Sequence, residues 1–284
     1  MKITILLDND SMVSGIKSEH GLSLFIEDGD LKILFDTGRT GLFLENALRL
    51  GVDLSKIDYL VLSHGHNDHS GGLSYLMDFY RQNNISKLPS FICHPEAFCK
   101  KEIRINLGIT SFCLRKIGFP LTSEKIEESF KTVFTKKPFW LNENWVFLGE
   151  IPRDKYPDDE VCFGKIENIK RTFCKDKMLD DSALVCKTRD GLIVLVGCAH
   201  SGICNIIDYA KLVCANDKII DIIGGFHLKG SSKKRLDRVQ KYLQKISPAA
   251  LHACHCTGKN KNILPKQENI GVGAALMYEL LFFQ

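Results

Sequence analysis

The sequence predicts an α/β fold in which two β-sheets pack face to face between outer layers of helices. The chain has 284 residues, of which 44% are hydrophobic and 25% charged, enough for one large core without disulfides. Strand and helix patterns alternate in the first third of the chain and return in the last third. Two similar strand–helix halves bury their sheets by stacking as helix, sheet, sheet and helix.

In the first third, short apolar runs alternate with turn signals and with stretches of helical spacing. Asp28-Gly29-Asp30 is typical of a hairpin turn, and Gly51 follows a helical stretch as a stop signal. We predict strands at 2–7, 22–27, 31–35 and 57–62, and helices at 41–50 and 72–80.

The range from about 95 to 180 has weak strand periodicity, several prolines and both tryptophans. We predict that it is an insertion or lid over the core, within a single domain of residues 1–284. In the last third, Thr188-Arg189-Asp190-Gly191 indicates a second hairpin. The predictions there are strands at 183–187, 192–196, 219–223 and 249–253, a terminal strand within 271–280, and helices at 203–213 and 232–246.

Charge and composition limit the kinds of molecule that the protein is expected to bind and the cellular compartment in which it is expected to occur. The net charge is only +4 and no long Lys/Arg block occurs, so we expect a small-molecule substrate and not a nucleic acid. The apolar run at 2–7 is too short for a signal peptide, and no apolar run reaches the roughly 18 residues of a membrane span. Eleven scattered cysteines without an export signal predict reduced thiols in the cytoplasm. The oligomeric state is left open.

Four side chains that bind metal ions lie within six positions: His64, His66, Asp68 and His69. They directly follow the apolar run at 57–62. Because alternate residues of an extended chain point the same way, His64 and His66 can converge on one ion, while Asp68 and His69 can face a second. Such ligands suit zinc, manganese or iron, and two ions would form a hydrolytic centre. A surface loop with incidental histidines is the alternative.

The pattern His-x-His-x-Asp-His after an apolar strand resembles the signature of the metallo-β-lactamase superfamily. Asp36-Thr37-Gly38 resembles its upstream Asp motif, whose Asp supports the site by hydrogen bonding. The resemblance implies a four-layer αββα sandwich. Further segments resemble one branch, the 7,8-dihydropterin-6-yl-methyl-4-(β-D-ribofuranosyl)aminobenzene 5'-phosphate synthase-like proteins of methanopterin biosynthesis: His20-Gly21-Leu22-Ser23, Asp180-Asp181-Ser182-Ala183-Leu184, Gly197-Cys198-Ala199-His200-Ser201-Gly202, Gly224-Gly225-Phe226-His227-Leu228 and His255-Cys256-Thr257-Gly258.

The resemblance also implies that later strand ends complete the ligand set. His255 matches the last histidine of the family, with His252 as its competitor. In many members a His precedes the second hairpin and a bridging Asp follows it. Here Asp181 and Cys198 stand in those places, and His200 lies two residues further on. All three remain candidate ligands; the alternatives are that Asp181 supports a ligand by hydrogen bonding and that Cys198 is a small buried thiol.

Other candidates have weaker support. The family pattern gives Asp68 the task of orienting the attacking water, and His227 is a candidate for substrate contact or acid catalysis. His20 and His94 lie near the expected site, although each is equally a plain loop histidine. Cys254 and Cys256 form no CxxC pair, which argues against a structural zinc knuckle.

The sequence therefore predicts a metal-dependent hydrolase with two zinc-type ions, acting on a phosphorylated or pterin-like small molecule. Two alternatives stay open. An iron-dependent redox enzyme similar to persulfide dioxygenases would hold a single iron. A non-catalytic member of the fold would bind a ligand and would be expected to have lost metal ligands, whereas this motif is complete.

Overall fold

The computed structural model describes residues 1–107 and 110–279. In chain order its strands are β1 Lys2–Leu7, β2 Ser23–Asp28, β3 Leu31–Phe35, β4 Tyr59–Val61, β5 Ser90–Cys93, β6 Lys101–Leu107, β7 Thr110–Lys116, β8 Lys131–Phe134, β9 Phe139–Trp140, β10 Trp145–Phe147, β11 Lys165–Glu167, β12 Phe173–Lys175, β13 Ala183–Lys187, β14 Leu192–Val196, β15 Ile219–Gly225, β16 Ala250–Cys254 and β17 Ala275–Met277. The α-helices are α1 Leu42–Arg49, α2 Asn67–Ser70, α3 Leu73–Gln82, α4 Ser123–Glu127, α5 Ile203–Cys214 and α6 Lys233–Ile246.

Within the described ranges the strands form two large sheets and a small one. The first sheet has the order β17-β1-β2-β3-β4-β5-β8, and the second has the order β16-β15-β14-β13-β10-β9. The small sheet has the order β12-β11-β6-β7. In the first sheet β3, β4, β5 and β8 run parallel, and in the second β14, β15 and β16 run parallel.

The two large sheets pack face to face over an apolar core. Alternation along β14 shows how the layers are built, because Ile193 and Leu195 face the first sheet. Leu192 and Val194 face the opposite way, onto the helices α5 and α6. A strand buried on both faces reads as a continuous apolar run, which is why it was recognisable in the sequence.

Helices cover the outer face of each sheet. Phe43 of α1 and Leu76 of α3 pack with Leu34 and Leu60 on the outside of the first sheet. Ile206 of α5 and the buried face of α6 cover the outside of the second sheet. The predicted four-layer αββα sandwich is confirmed. None of the helices in the described ranges is long and apolar enough to cross a membrane.

The range 95–180, predicted to be an insertion over the core, also contributes strands to the large sheets. The strands β8, β9 and β10 lie within it and belong to the two large sheets, while β6, β7, β11 and β12 make up the small sheet. The part outside the sandwich is therefore narrower than predicted. At the chain's end, the predicted strand within 271–280 is observed at Ala275–Met277, and residue 280 lies outside the described residues.

Candidate metal centre

The candidate ligands meet at one edge of the sandwich because parallel strands of both large sheets end there. Asp36 and His64 follow β3 and β4 of the first sheet, and Cys198, His227 and His255 follow β14, β15 and β16 of the second. The chain turns sharply at this edge. Four residues that are not glycine have a positive φ there, namely Asp36 at 60°, Ala199 at 43°, His227 at 48° and His255 at 50°.

His64, His66 and His200 form the first ligand set. The Nε2 atom of His64 lies 3.1 Å from Nδ1 of His66, and the His200 ring centroid lies 5.1 and 5.0 Å from those of His64 and His66. The Nδ1 atom of His200 lies 3.2 Å from the carbonyl oxygen of Val161, which leaves its Nε2 atom toward the other rings. Both Nε2 atoms of His66 and His200 are buried without a hydrogen-bond partner among the described residues.

Asp68, His69, Cys198 and His255 form the second ligand set. The Nε2 atom of His69 lies 3.2 Å from Nε2 of His255 and 3.2 Å from Sγ of Cys198. Oδ2 of Asp68 lies 3.7 Å from Nε2 of His255. Cys198 also groups with His64 and His200, all ligand atoms being within 4.8 Å of one another. Its sulfur is therefore placed between the two sets, where the family pattern has a bridging Asp.

Asp36 is fully buried and supports both ligand sets by hydrogen bonds to residues next to the ligand atoms. Its Oδ2 atom accepts a hydrogen bond from His69 Nδ1 at 2.7 Å and one from Ser63 Oγ at 2.7 Å, while Oδ1 accepts from the Ser63 backbone at 2.8 Å. Because Nδ1 of His69 carries the donated hydrogen, its Nε2 atom is left to face an ion. Ser63 Oγ lies in turn 2.9 Å from Nδ1 of His64.

Burial and charge set the protonation of the ion-free site. Burial lowers the pKa of His66 to about 3 and that of His255 to about 4, so both rings are neutral at pH 7, the form that binds metals. Burial alone would also lower the pKa of His69, but the Asp36 carboxylate outweighs it and raises that pKa to about 9. An ion at His69 therefore displaces a proton.

Comparisons with known proteins agree with this geometry. An uncharacterized protein of Methanocaldococcus jannaschii is 34% identical over 262 residues, which is 90% of each chain. The 7,8-dihydropterin-6-methyl-4-(beta-D-ribofuranosyl)-aminobenzene-5'-phosphate synthase of the same organism is 31% identical over 252 residues, covering 85% of this chain and 82% of that protein. The predicted resemblance to that branch is confirmed.

A family model described as the metallo-beta-lactamase superfamily matches residues 18–85, which contain Asp36 and the motif from His64 to His69. The chain belongs to the metallo-β-lactamase superfamily. A crystal structure of a metal-dependent hydrolase of the β-lactamase superfamily matches it with a TM-score of 0.81 and 28% identity, over 98% of this chain and 99% of that one.

In this superfamily member the two aspartates before the second hairpin support the loops that carry ligands. Oδ2 of Asp181 accepts hydrogen bonds from the backbone and hydroxyl of Ser201 at 2.8 and 2.6 Å, next to His200. The prediction of Asp181 as a ligand or as a support for one stays a prediction: Ser201 occupies its Oδ2 atom, whereas its Oδ1 atom is buried without a hydrogen-bond partner among the described residues. Asp180 was not predicted, although it is the neighbouring residue of the same motif.

Asp180 ties the first ligand set to the small sheet. Its Oδ2 atom accepts from the backbone of Gly65, between His64 and His66, at 2.8 Å. Its other oxygen pairs with the ammonium group of Lys101, which begins β6 and is fully buried. Neighbouring charge from Lys101 helps to lower the pKa of Asp180 against the effect of burial. No sequence signal distinguishes Lys101 from the many surface lysines.

Of the remaining histidines, some lie next to the ligands and others lie outside the site. His227 is next to the first set, with ring centroids 4.4 Å from His200. His20 Nε2 lies 3.0 Å from Oδ2 of Asp68, and its ring stacks on His255 at 4.8 Å. His94, by contrast, accepts from the Glu96 backbone and contacts Glu150, so it caps a short helix outside the site.

His252 is also placed away from the ligands. Its Nδ1 atom lies 2.7 Å from Oδ2 of Asp221, and its Nε2 atom lies 3.5 Å from Glu268 on the surface. Of the two histidines considered for the last ligand position, His255 therefore lies at the metal centre and His252 lies outside it.

Most of the candidate ligands form the floor of a cavity of about 820 Å³. His66, Asp68, Cys198, His200 and His255 all line it. Its walls divide into two kinds: the apolar side chains are Ile103, Ile117 and Phe163, and the cationic ones are Arg115, Lys229 and Lys259. The small sheet and its neighbouring loops supply the apolar wall and Arg115.

Proposed function

We propose that the protein is a metal-dependent hydrolase whose two-ion centre acts on a phosphorylated small molecule with an aromatic, pterin-like ring. One observation carries the proposal. Two ligand sets share the sulfur of Cys198 at the floor of a cavity whose rim is cationic. Neither the ligands nor the rim alone would indicate both the reaction and the kind of substrate.

The donors fit zinc-type ions. Imidazole nitrogens, one thiol and one carboxylate are the ligands that zinc binds in proteins, and manganese or iron accept most of them. The orphaned Nε2 atoms of His66 and His200 are the buried acceptors that an ion would satisfy. Bound ions of this kind supply Lewis acidity, which lowers the pKa of water and stabilises developing negative charge.

Side chains of the protein then orient the attacking water and protonate the leaving group. Asp68 faces the second set and orients the attacking water, while His20 holds its Oδ2 atom at 3.0 Å. His227 lines the cavity and has a buried Nδ1 atom without a hydrogen-bond partner among the described residues. We assign it contact with the substrate and proton delivery to the leaving group.

The cavity supports the choice of substrate. Its volume of about 820 Å³ suits a small molecule. Arg115, Lys229 and Lys259 give the rim positive charge that favours a phosphate group, and the ring of Phe163 offers a surface for stacking. The relative from Methanocaldococcus jannaschii carries both a pterin and a phosphate in its name.

Elemental analysis and a substrate panel test the proposal. The purified protein should contain close to two zinc-type ions per chain and should hydrolyse at least one phosphodiester or phosphate ester of an aromatic compound. His66→Ala should lose the ion of the first set and at least about 100-fold in kcat/KM, because a direct ligand is removed. His94→Ala is the matched control, since His94 is equally buried but outside the site.

Other results would replace the proposal. Unchanged ion content in His66→Ala contradicts the ligand assignment. One iron per chain with oxidation of persulfides indicates the redox alternative, and a protein that binds no ion indicates a non-catalytic member. Joining of two substrates without hydrolysis would indicate a synthase, as the relative is named.

A further inference from the structure

We propose that Cys198 and Cys256 form a redox-sensitive thiol pair, whose oxidation to a disulfide withdraws Cys198 from the ions and switches the centre off. The inference rests on the proposed role of Cys198 as a shared ligand. Cys256 belongs to neither ligand set described above. Its contact with Cys198 therefore needs a separate explanation.

The two thiols are in close contact. The sulfur atoms of Cys198 and Cys256 and a ring nitrogen of His227 all lie within 4.8 Å of one another. Sγ of Cys256 lies 3.7 Å from the carbonyl oxygen of Cys198 and accepts the backbone N–H of His227 at 3.3 Å. Forming an S–S bond of about 2.05 Å would bring the two sulfur atoms closer than this.

The contact is built by the second sheet. Cys198 and Cys256 follow β14 and β16, which lie on either side of β15, so their strands are about 9.5 Å apart. The thiols approach much more closely because β15 ends in Gly225. A Cβ atom at Gly225 would lie 2.6 Å from Sγ of Cys256, and the missing side chain leaves that space for the sulfur.

Both thiols are accessible from the cavity. Among the described residues, Cys198 and Cys256 are the cysteines that line it, although each is largely buried. A small oxidant such as hydrogen peroxide can therefore reach the pair by the substrate's route. The other cysteines are buried, such as Cys204 and Cys214, half-buried, as Cys99 and Cys162 are, or exposed, as Cys113 and Cys174 are.

The chemistry balances with peroxide as oxidant. One thiolate attacks a peroxide oxygen, forms a sulfenic acid and releases water after protonation. The second thiol attacks that sulfur, the S–S bond forms, and a second water leaves. Two thiols and one hydrogen peroxide thus give one disulfide and two waters, and an excess of a small thiol reverses the step.

The test uses the full-length protein with Cys113→Ser and Cys174→Ser, which removes the exposed thiols. Metal-free and zinc-loaded samples are treated with hydrogen peroxide, digested without reductant and examined by mass spectrometry. Zinc affinity is measured by competition with a chromogenic chelator before oxidation, after it, and after dithiothreitol. Cys256→Ser and Cys256→Ala, each checked for folding by circular dichroism, remove one partner.

We expect a cross-linked peptide joining Cys198 to Cys256 in the metal-free protein, slower cross-linking with zinc bound, and none in either Cys256 variant. Oxidation should weaken zinc binding at least about tenfold, since losing even an indirect partner of a ligand costs about 10–100-fold. Dithiothreitol should restore it.

Two results overturn the switch. One is the absence of the cross-linked peptide, and the other is unchanged zinc affinity after it has formed. If the reduced protein binds zinc and hydrolyses substrate but forms no disulfide, only the switch fails. If the reduced protein takes up no zinc, the proposed function fails and the switch with it.

Discussion

Asp36 and Asp221 are both buried, and each lies 2.7 Å from Nδ1 of a histidine. The partner of Asp36 is the candidate ligand His69, whereas the partner of Asp221 is His252, outside the site. The two pairs therefore separate the effect of orienting a ligand from the effect of satisfying a buried carboxylate.

We predict that Asp36→Asn weakens zinc binding about 10–100-fold, because His69 loses the acceptor that fixes its ring and tautomer. Chelator competition measures the affinity. Asp221→Asn should lower the free energy of unfolding without changing zinc affinity. Equal losses of affinity in both variants would show that Asp36 acts only through general stability.

At the residue scale, the candidate ligands that the sequence indicated, and that the structure brings together, are contiguous or directly follow a strand. The motif from His64 to His69 needs one turn to form, and His200 and His255 follow strands that are apolar enough to recognise. Lys101 and Asp180 meet across 79 positions, and a buried lysine looks like any other in the sequence. Only the folded packing shows their contact.

At the scale of elements, one buried ion pair joins the small sheet to the loop of the first ligand set. Lys101 begins β6, its side chain is fully buried, and its partner Asp180 holds Gly65 of the loop. Asp176 lies 3.5 Å away on the same ammonium group. The ion pair therefore helps to position the cavity wall relative to the ligand loop, together with the hydrogen bond from the Asn67 backbone to the Ile117 carbonyl at 2.8 Å.

We predict that Lys101→Met lowers the free energy of unfolding by about 3–5 kcal/mol, because it leaves buried carboxylates without their cation. Urea unfolding measures this. Lys2→Met is the control, since Lys2 pairs with Glu27 on the surface at 3.6 Å and should cost at most about 1 kcal/mol.

Zinc affinity of a still-folded Lys101→Met protein should also fall, since Gly65 loses its fixed acceptor. Unaltered affinity would mean that the loop holds its shape without Asp180.

Elements buried on one or both faces were predictable, whereas those of the small sheet were not. The hairpin of β13 and β14 was found at its observed bounds, because its strands are apolar and its turn is polar. In β7, Phe112 and Leu114 are 57% and 65% exposed, so apolar residues there mark no buried face. The periodicity that identifies a strand depends on burial, and this sheet has little of it.

At the scale of the whole molecule, the histidines make the metal-free protein sensitive to pH on both sides of neutrality. Burial lowers the pKa of His255 from 6.5 to about 4, so the unfolded chain binds more protons there and stability is lost as pH falls below 6.5. Asp36 raises the pKa of His69 to about 9, so its contribution is present below pH 6.5 and lost as pH rises through 9.

We therefore predict a stability maximum near neutral pH in the presence of chelator, measured by urea midpoints at successive pH values. The loss of stability at acid pH attributable to His255 amounts to at most about 3.5 kcal/mol, since its pKa falls from 6.5 to about 4 and one pKa unit corresponds to about 1.4 kcal/mol. Asp8, whose pKa burial raises to about 6, works in the opposite direction between 3.8 and 6. His255→Gln should make the loss of stability at acid pH smaller without removing it, because burial also lowers the pKa of His66 to about 3. His69→Gln should flatten the loss at alkaline pH. Identical profiles in both variants would contradict the assignment.

The second ligand set joins parts of the chain that are far apart, since His69 and His255 are separated by 186 positions. An ion held between them closes a loop of most of the chain, in the manner of a reversible disulfide. Closing so long a loop restricts the unfolded ensemble strongly, and the cost of lengthening the loop grows only slowly. Loss of the ion would therefore remove this constraint on the unfolded chain as well as stop catalysis, so the metal-free protein should unfold more readily even though the apolar core still joins the two sheets.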